Sequence, residues 1–209
     1  MSPRKRGLFL TIEGGEGGGK STLAKALAAH IAAYGHAVVH TREPGGSPGA
    51  EALRQLLLYG PQDRWSPLSE ALLFTAARND HLERTIRPAL ARGDVVLCDR
   101  YLDSTRAYQT AAGLDARTCS DLAALINADT PDLTLILDVP PRQGLERAGR
   151  EADDRFEHRS TSFHDRVRAA FLNIARAEPQ RCQVLDAQAS AEQVLRAAVE
   201  AWNTLQARA

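Results

Sequence analysis

The residues best suited to chemistry lie near the amino terminus, where a glycine-rich segment ends in a lysine and a serine. Residues 14–21 read GGEGGGKS and fit the phosphate-binding pattern GxxxxGK[ST]. Glycines let backbone amides turn toward phosphate oxygens, and a helix starting near Lys20 would point its positive end at them. Lys20 would neutralise charge on a transferring phosphoryl group, and the Ser21 hydroxyl would ligate Mg²⁺. The predicted residues of this nucleotide site are Gly14, Gly15, Glu16, Gly17, Gly18, Gly19, Lys20 and Ser21.

Two arginines and an aspartate indicate a second charged centre. Asp99 and Arg100 follow an apolar run, and Arg42 lies in a turn-rich loop after another. An aspartate at the end of a buried strand beside a phosphate loop can hold Mg²⁺, with Ser21, partly through water. Arginine offers a planar, bidentate donor suited to a phosphate. Two phosphate centres in one small chain predict a kinase whose acceptor is itself a phosphate.

The elements that must position these residues alternate along the chain. Short, continuous apolar runs predict strands that are buried on both faces, and 3.6-residue periodicity predicts helices between them. This alternation predicts an α/β fold with a parallel five-stranded sheet flanked by helices and ligands at the carboxyl ends of the strands. The predicted strands are 7–12, 37–40, 95–98, 133–137 and 183–185. The predicted helices are 20–34, 50–58, 68–90, 104–112, 116–127, 162–177 and 191–206.

Other classes of phosphate-loop protein fit less well. A GTPase switch would need a DxxG segment and an NKxD guanine reader, yet no asparagine here is followed by lysine and no glycine has an aspartate three residues before it. ATP-driven motors usually carry a strand ending in Asp-Glu, whereas Asp99 is followed by Arg100. The sequence therefore favours a kinase over a GTPase switch or an ATP-driven motor.

Composition excludes several partners and sites. The 26 basic residues equal the 26 acidic ones, so we expect no sequence-independent nucleic-acid binding. Three cysteines without a CxxC pair favour a reduced, cytoplasmic protein. The six histidines show no zinc-ligand spacing, and no apolar run approaches the length of a membrane helix.

Four segments resemble the thymidylate kinase family. Residues 41–46 read TREPGG, and residues 99–101, 103–105 and 107–109 read DRY, DST and AYQ, similar to the family's DRYxDSxxAYQ. Residues 72–78 read LLFTAAR, and residues 131–134 and 137–138 read PDLT and LD. These segments occur in the family's order, and the TREPGG and DRY segments together are highly specific. The resemblance implies the P-loop NTPase fold of a nucleoside monophosphate kinase.

The resemblance also implies roles in binding dTMP. Phe74 would stack on thymine, Arg78 would donate to a thymine carbonyl, and Thr105 with Ser104 would read the base edge. Tyr108 would pack under the sugar, Glu16 would meet the 3′-hydroxyl or a Mg²⁺-bound water, and Pro44 would lie near the thymine methyl. Arg42 and Arg100 would hold the acceptor phosphate. The implied dTMP-binding residues are Glu16, Arg42, Pro44, Phe74, Arg78, Arg100, Ser104, Thr105, Tyr108 and Gln109.

A charge-dense segment at about 147–160 occupies the position of the family's lid, so we expect one kinase domain over 1–209 with a small lid. The phosphate loop carries no arginine, and the bacterial form of the family supplies its catalytic arginines from the lid. Arg150 and Arg155 are therefore predicted to act on the transition state, with Arg147 as a third candidate. Together with Lys20, Arg100 and Glu16, Arg150 and Arg155 make the predicted catalytic set. Residues 110–114, TAAGL, depart from the family's glycine-rich, arginine-containing loop.

The resemblance implies transfer of the ATP γ-phosphate to dTMP, giving dTDP and ADP for dTTP synthesis, with Mg²⁺ as cofactor and a homodimer as the assembly. Two alternatives stay open at this point: another nucleoside monophosphate kinase of the same fold, and a regulator that binds nucleotide without turnover.

Overall fold

A five-stranded parallel sheet forms the centre of the molecule in the computed structural model, which describes residues 6–149 and 155–208. The strands lie in the order β2-β3-β1-β4-β5, and every neighbouring pair is parallel. Their bounds are β1 Phe9–Gly14, β2 Val38–Arg42, β3 Val95–Asp99, β4 Leu133–Asp138 and β5 Cys182–Asp186. The predicted fold class is therefore confirmed, and each predicted strand lies within three residues of an observed one.

Helices cover both faces of this sheet. In the described part of the chain they are α1 Lys20–Ala33, α2 Pro48–Leu58, α3 Pro67–His81, α4 Arg87–Arg92, α5 Leu102–Ala111, α6 Ala116–Leu125, α7 Pro141–Ala148, α8 Thr161–Ala177 and α9 Ala191–Arg208, with a π-helical turn at Leu82–Ile86. Leu27 of α1 and Trp202 of α9 pack on one face with Ile12. Phe171 of α8 packs on the other with Ile136. The inner strands β1, β3 and β4 are buried and mostly apolar, whereas the edge strands β2 and β5 are partly exposed.

The single helix predicted over 68–90 is divided in the structure. The π turn separates α3 from α4, and its Leu82 and Ile86 are fully buried against Phe9 and Val96. Pro88 lies at the start of α4 and has no N–H to donate into the preceding turn. The π turn is wider than an α-helical turn, so the chain stays helical before Pro88. The side chains of Leu82 and Ile86 remain in the core.

The carboxyl ends of β1, β2 and β3 bring the predicted polar residues to one edge of the sheet. Asp99 is in register with Arg42 on one side and with Ile12 on the other. Arg100 leaves the sheet in the left-handed region, at φ 66°, and its amide donates to the carbonyl of Ile12 at 2.9 Å. This turn points the chain toward the glycine-rich loop that follows Gly14.

None of the helices in 6–149 and 155–208 combines the length and apolarity that crossing a bilayer requires.

Candidate active site

The glycine-rich loop joins β1 to α1, as the sequence pattern requires. Gly17 has φ 65°, and a Cβ on it would overlap the backbone of Gly144 in α7, so no other residue fits there. Gly19 is also left-handed, at φ 82°, and precedes the first residue of α1. The amino end of α1 therefore faces the loop, which is the arrangement that binds anions.

Lys20 is folded over this loop. Its Nζ donates to the carbonyl of Gly15 at 2.6 Å. Burial and the nearby charge of Arg100 lower the pKa of Lys20 to about 8, although Glu16 and Asp99 oppose this change. The ammonium is thus buried within the loop.

Ser21 and Asp99 form a pair at the mouth of the loop. The Ser21 hydroxyl donates to Asp99 Oδ2 at 2.7 Å. A hydroxyl and a carboxylate are hard oxygen ligands that suit Mg²⁺, which takes one or two protein ligands and completes its shell with water and phosphate oxygens. Across the described ranges no three histidine, cysteine, aspartate or glutamate side chains gather into a metal cluster. The Ser21–Asp99 pair therefore stays a predicted Mg²⁺ site.

Glu16 is the centre of a hydrogen-bonded group beside the loop. Arg100 Nη2 donates to both of its carboxylate oxygens at 2.8 Å, and the Tyr108 hydroxyl donates to one of them at 2.5 Å. Burial by itself would raise the pKa of Glu16, but Arg100, Lys20 and Tyr108 together lower it to about 2. Glu16 is therefore ionised and holds the guanidinium of Arg100, which also donates from Nη1 to the carbonyl of Gly14 at 2.9 Å.

A second glutamate, Glu13, is fully buried just before the loop. It accepts from the Tyr101 amide at 2.9 Å and from the Ser104 hydroxyl at 2.5 Å. Burial and the charge of Asp103 raise the pKa of Glu13 to about 7, against the lowering effect of these hydrogen bonds. Glu13 ties β1 to the start of α5, and nothing in the sequence pattern indicated this role.

Arg78 is buried where α3 and α5 meet. Its Nε donates to Glu43 at 2.8 Å and its Nη2 donates to Thr105 Oγ1 at 3.0 Å. The guanidinium lies 5.0 Å from the centre of the Tyr101 ring. Arg78 is thus held by a carboxylate and a hydroxyl on two different elements, and it carries its charge in a nearly dry environment.

A cavity of about 360 Å³ connects these groups. All ten residues predicted to bind dTMP line it, together with Lys20, Ser21 and Asp99. In the glycine-rich loop, Glu16, Gly17 and Gly19 line it, whereas Gly14, Gly15 and Gly18 do not. The structure therefore brings both predicted centres into one space, while the individual roles stay predictions.

Aromatic rings form the apolar wall of the cavity. Phe74 and Phe156 have ring centres 6.1 Å apart, and Tyr108 meets Phe156 edge to face at 5.7 Å. Phe156 was not predicted as a site residue, because it lies far along the chain in a charged segment. Arg54 of α2, which donates to the carbonyl of Pro44 at 2.7 Å, also lines the cavity without any signal in the sequence.

Two of the residues predicted to bind dTMP, Arg42 and Gln109, form hydrogen bonds to glutamate side chains. Arg42 is half exposed and donates to Glu51 at 3.2 Å, so it meets the cavity from the solvent side. Gln109 is fully buried, and its Nε2 donates to Glu70 at 2.9 Å. The Oε1 atom of Gln109 has no hydrogen-bond partner among the described residues. Both residues line the cavity, but Gln109 also belongs to the packing of α3 against α5.

The structure describes only part of the segment predicted to form the lid. Arg150 lies outside the described residues. Arg155 is buried, pairs with Glu70, and donates to the carbonyl of Leu57 at 2.5 Å. Arg147 donates to the carbonyl of Ala187 at 2.7 Å. In this conformation Arg155 joins α2 and α3 and does not line the cavity, so its predicted action on a phosphoryl group stays a prediction.

A glycine-rich loop between a central parallel strand and a helix, opening onto a cavity lined by arginines, is the arrangement of a P-loop phosphotransferase. Sequence comparison assigns the particular family. The chain belongs to the thymidylate kinase family, whose model, described as "Thymidylate kinase", matches residues 12–198.

Similar proteins cover nearly the whole chain. A thymidylate kinase of Caulobacter vibrioides is 57% identical over 194 residues, which are 90% of this chain and 92% of that protein. A thymidylate kinase of Rhizorhabdus wittichii is 53% identical over 200 residues, 93% of this chain and 96% of that protein. The crystal structure of thymidylate kinase from Ehrlichia chaffeensis superposes with a TM-score of 0.79 at 32% identity, covering 95% of this chain and 99% of that one.

Proposed function

We propose that this chain transfers the γ-phosphoryl group of ATP to dTMP, giving ADP and dTDP, a step toward dTTP. The observation that carries the proposal is the single cavity in which the Lys20 end of the glycine-rich loop faces Arg100, Arg78 and Phe74. Donor and acceptor would lie end to end in this space. Membership of the thymidylate kinase family supports the same reaction.

The donor end would be bound by the loop. Amides of the loop and the amino end of α1 would face the β- and γ-phosphates, and Lys20, which is folded over the loop, would lie beside them. Mg²⁺ would supply neutralisation of phosphate charge at this end of the site. Ser21 and Asp99, 2.7 Å apart, are the residues that would hold it.

The acceptor end would be fixed by charge and by aromatic contact. Arg100 and Arg42 would hold the dTMP phosphate, and Glu16 would keep Arg100 in place while meeting the 3′-hydroxyl or a metal-bound water. Phe74 would offer its face to thymine. Arg78 and Thr105 would read the base edge, with Ser104, Gln109 and Pro44 nearby, and Tyr108 would pack under the sugar.

The transfer itself needs little covalent help from the protein. A phosphate oxygen of dTMP is already anionic and attacks the γ-phosphorus in line, while the bond from that phosphorus to the β-bridging oxygen breaks and ADP leaves. No general base is required. Catalysis then consists of positioning and of charge neutralisation by Lys20, Arg100 and the lid arginines Arg150 and Arg155.

A test of the proposal combines one variant with a panel of acceptors. ADP formation would be measured with dTMP, dUMP, UMP, GMP and AMP, and we expect dTMP to give the highest kcat/KM. Lys20→Ala should reduce turnover by about a hundredfold or more, as expected for loss of one preorganised charge. Lys25→Ala, on the exposed side of α1, is the matched control and should leave turnover unchanged.

Three outcomes would contradict parts of this proposal. Preference for another acceptor would remove the base-reading roles of Phe74 and Arg78 and favour a different nucleoside monophosphate kinase. Binding of ATP without ADP formation from any acceptor would indicate a regulator. Turnover of Lys20→Ala within threefold of the unmodified chain would remove the role given to Lys20.

We also propose a cytoplasmic homodimer. Leu68 and Leu72 are about half exposed and lie one helical turn apart on α3, with the exposed Leu125 of α6 as a further apolar residue. Sedimentation velocity should give a dimer mass. Leu72→Glu should shift it to the monomer, whereas Leu72→Met should not, and a monomeric unmodified chain would contradict the proposal.

A further inference from the structure

A chain of buried hydrogen bonds extends from Arg78 through Glu43, which also lines the cavity, to His81 and Thr41, which do not line it. Glu43 accepts from Arg78 Nε through one carboxylate oxygen at 2.8 Å, and its other oxygen lies 3.0 Å from His81 Nδ1. His81 Nε2 lies 2.8 Å from Thr41 Oγ1. The side chains of Arg78, Glu43 and His81 are each at most 4% exposed. Such a network is rigid when each member has its partner.

The proton positions in this chain follow from chemistry. An ionised carboxylate can only accept, so His81 Nδ1 carries the proton in its bond to Glu43. The other ring nitrogen, Nε2, lies 2.8 Å from Thr41 Oγ1 and is paired with that hydroxyl. Glu43 is thereby fixed from the side opposite Arg78, and it cannot turn away without leaving His81 or Arg78 unpaired.

Local sequence explains why these groups meet. Arg78 and His81 are three residues apart and lie on the same side of α3. Thr41 is the second-to-last residue of β2, and Glu43 begins the loop beyond it. Gly46, at φ 82°, lies directly against the imidazole of His81. A Cβ there would overlap both His81 Nε2 and Thr41 Oγ1, so this position requires glycine. The loop after β2 is thus fitted to the inner face of α3.

The network leaves only part of Arg78 available. Its Nε and Nη2 both lie 2.8 Å from Glu43 Oε2, and Nη2 also donates to Thr105, so two of its three nitrogens are engaged and Nη1 is the third. Arg78 lines the cavity, so the remaining N–H groups are those that can reach a ligand. A long arginine side chain would otherwise sample many rotamers, and fixing it in advance lowers the entropic cost of binding and sets the direction of its donors.

We propose that Glu43 and His81 are positioning residues that set the acceptor selectivity of this enzyme by holding Arg78 in one orientation. This inference rests on the proposed function, since Arg78 is the proposed reader of the base. A guanidinium that can only donate favours a pyrimidine with a carbonyl at the 4-position, and disfavours one with a 4-amino group, whose N–H groups would face its own. Loss of the network would therefore weaken discrimination of dTMP from dCMP.

The variants follow from the geometry. Glu43→Gln keeps the shape of the side chain but removes its charge. His81→Leu removes the donor to Glu43, whereas His81→Asn retains an N–H group near the position of Nδ1 and serves as the rescue variant. Arg181→Gln is the matched control, because Arg181 forms a buried ion pair with Asp103 at 2.7 Å but does not line the cavity.

Three quantities would be measured for each variant: KM and kcat for dTMP, KM for ATP, and the ratio of kcat/KM for dTMP to that for dCMP. We expect Glu43→Gln and His81→Leu to raise KM for dTMP and to lower the ratio about tenfold, as for loss of one oriented charged donor. KM for ATP should stay within about twofold. His81→Asn should recover most of the ratio, and Arg181→Gln should lower only the thermal midpoint.

A double-variant cycle separates this inference from the proposed function. In an Arg78→Ala background, His81→Leu should not change the ratio further. If Arg78→Ala itself leaves the ratio unchanged, the proposed role of Arg78 is wrong. If Arg78→Ala changes the ratio while Glu43→Gln and His81→Leu lower only the thermal midpoint, the network is merely structural and this inference alone is overturned.

Thr41→Val covers the case in which Glu43→Gln and His81→Leu do not fold. It is close to isosteric and removes only the outermost hydrogen bond, to His81. We expect a fall of about threefold in the dTMP to dCMP ratio. An unchanged ratio in a folded Thr41→Val variant would then overturn the inference.

Discussion

Arg100 Nη2 lies 2.8 Å from each carboxylate oxygen of Glu16, so a residue leaving β3 is fixed directly to the phosphate loop that follows β1. The left-handed backbone of Arg100 makes this contact possible, because it turns the side chain back over the loop. The pair joins the end of the site that would hold the donor to the end that would hold the acceptor. A change at either residue should therefore affect both orientation and charge in the cavity.

Replacing Glu16 should disturb the acceptor more than the donor. Glu16→Gln removes the charge that holds Arg100, and we expect kcat/KM for dTMP to fall about thirtyfold, equivalent to about 2 kcal/mol for a hydrogen bond to a charged group. Steady-state kinetics at saturating ATP would measure this. Glu51→Gln, which loses the exposed pair with Arg42, is the control and should change kcat/KM less than threefold. Equal effects of the two variants would contradict the prediction.

Capture of ATP should weaken at alkaline pH. Because burial lowers the pKa of Lys20 to about 8 in the free protein, the protonated fraction should fall from about a half at pH 8 to about a tenth at pH 9. We expect kcat/KM for ATP to fall about fivefold over this interval. The fall in kcat should occur at higher pH than the fall in kcat/KM, because bound phosphates favour the charged form of Lys20. A profile that is flat to pH 9.5 would show that Lys20 keeps its proton.

Stability should decrease as Glu13 ionises. Its pKa is raised from 4.5 to about 7 in the folded protein, so its contribution to stability is fully present below pH 4.5 and is lost as the pH rises through 7. The full span corresponds to about 3 kcal/mol. Urea unfolding at pH 5 and pH 8 should show the unmodified chain losing stability relative to Glu13→Gln. Parallel pH dependences in the two proteins would refute this assignment.

A methyl group on α7 should displace the phosphate loop. Gly144 is helical, but a Cβ on it would overlap the carbonyl oxygen of Glu16. Gly144→Ala gains helix propensity yet overpacks this contact, so we expect a net loss of about 1–3 kcal/mol in unfolding free energy and a higher KM for ATP. Gln143→Ala, one residue away, is the control. Unchanged KM and stability in Gly144→Ala would mean that the loop can move without cost.

Arg155 should contribute to stability through Glu70. Both side chains are buried, and removal of one partner leaves the other charge uncompensated. Arg155→Met should therefore lower the free energy of unfolding by about 3–5 kcal/mol. Glu70→Gln should do the same, and the double variant should lose less than the sum of the two. If Arg155→Met leaves the free energy of unfolding unchanged, the buried pair carries little stability; the effect of the same variant on kcat tests the proposed lid role separately.

The sequence alone determined the sheet and the phosphate loop, because both depend on local patterns. Short continuous apolar runs that alternate with helical patterns favour the strands of a parallel sheet, and the GxxxxGKS spacing encodes backbone shape directly. The cavity-lining residues Phe74, Arg78 and Arg100 were located because their segments resemble a known family. The resemblance supplied their roles, which no periodicity or spacing could have given.

Tertiary structure decided the contacts between distant segments. The burial of Arg155 against Glu70, the placement of Phe156 beside Tyr108, and the link from His81 through Glu43 to Arg78 each join residues separated by tens of positions. In the sequence these side chains are only charges, rings or a histidine on a helix. Whether such a group faces solvent, core or cavity depends on which helices pack together, and that packing is a property of the whole chain.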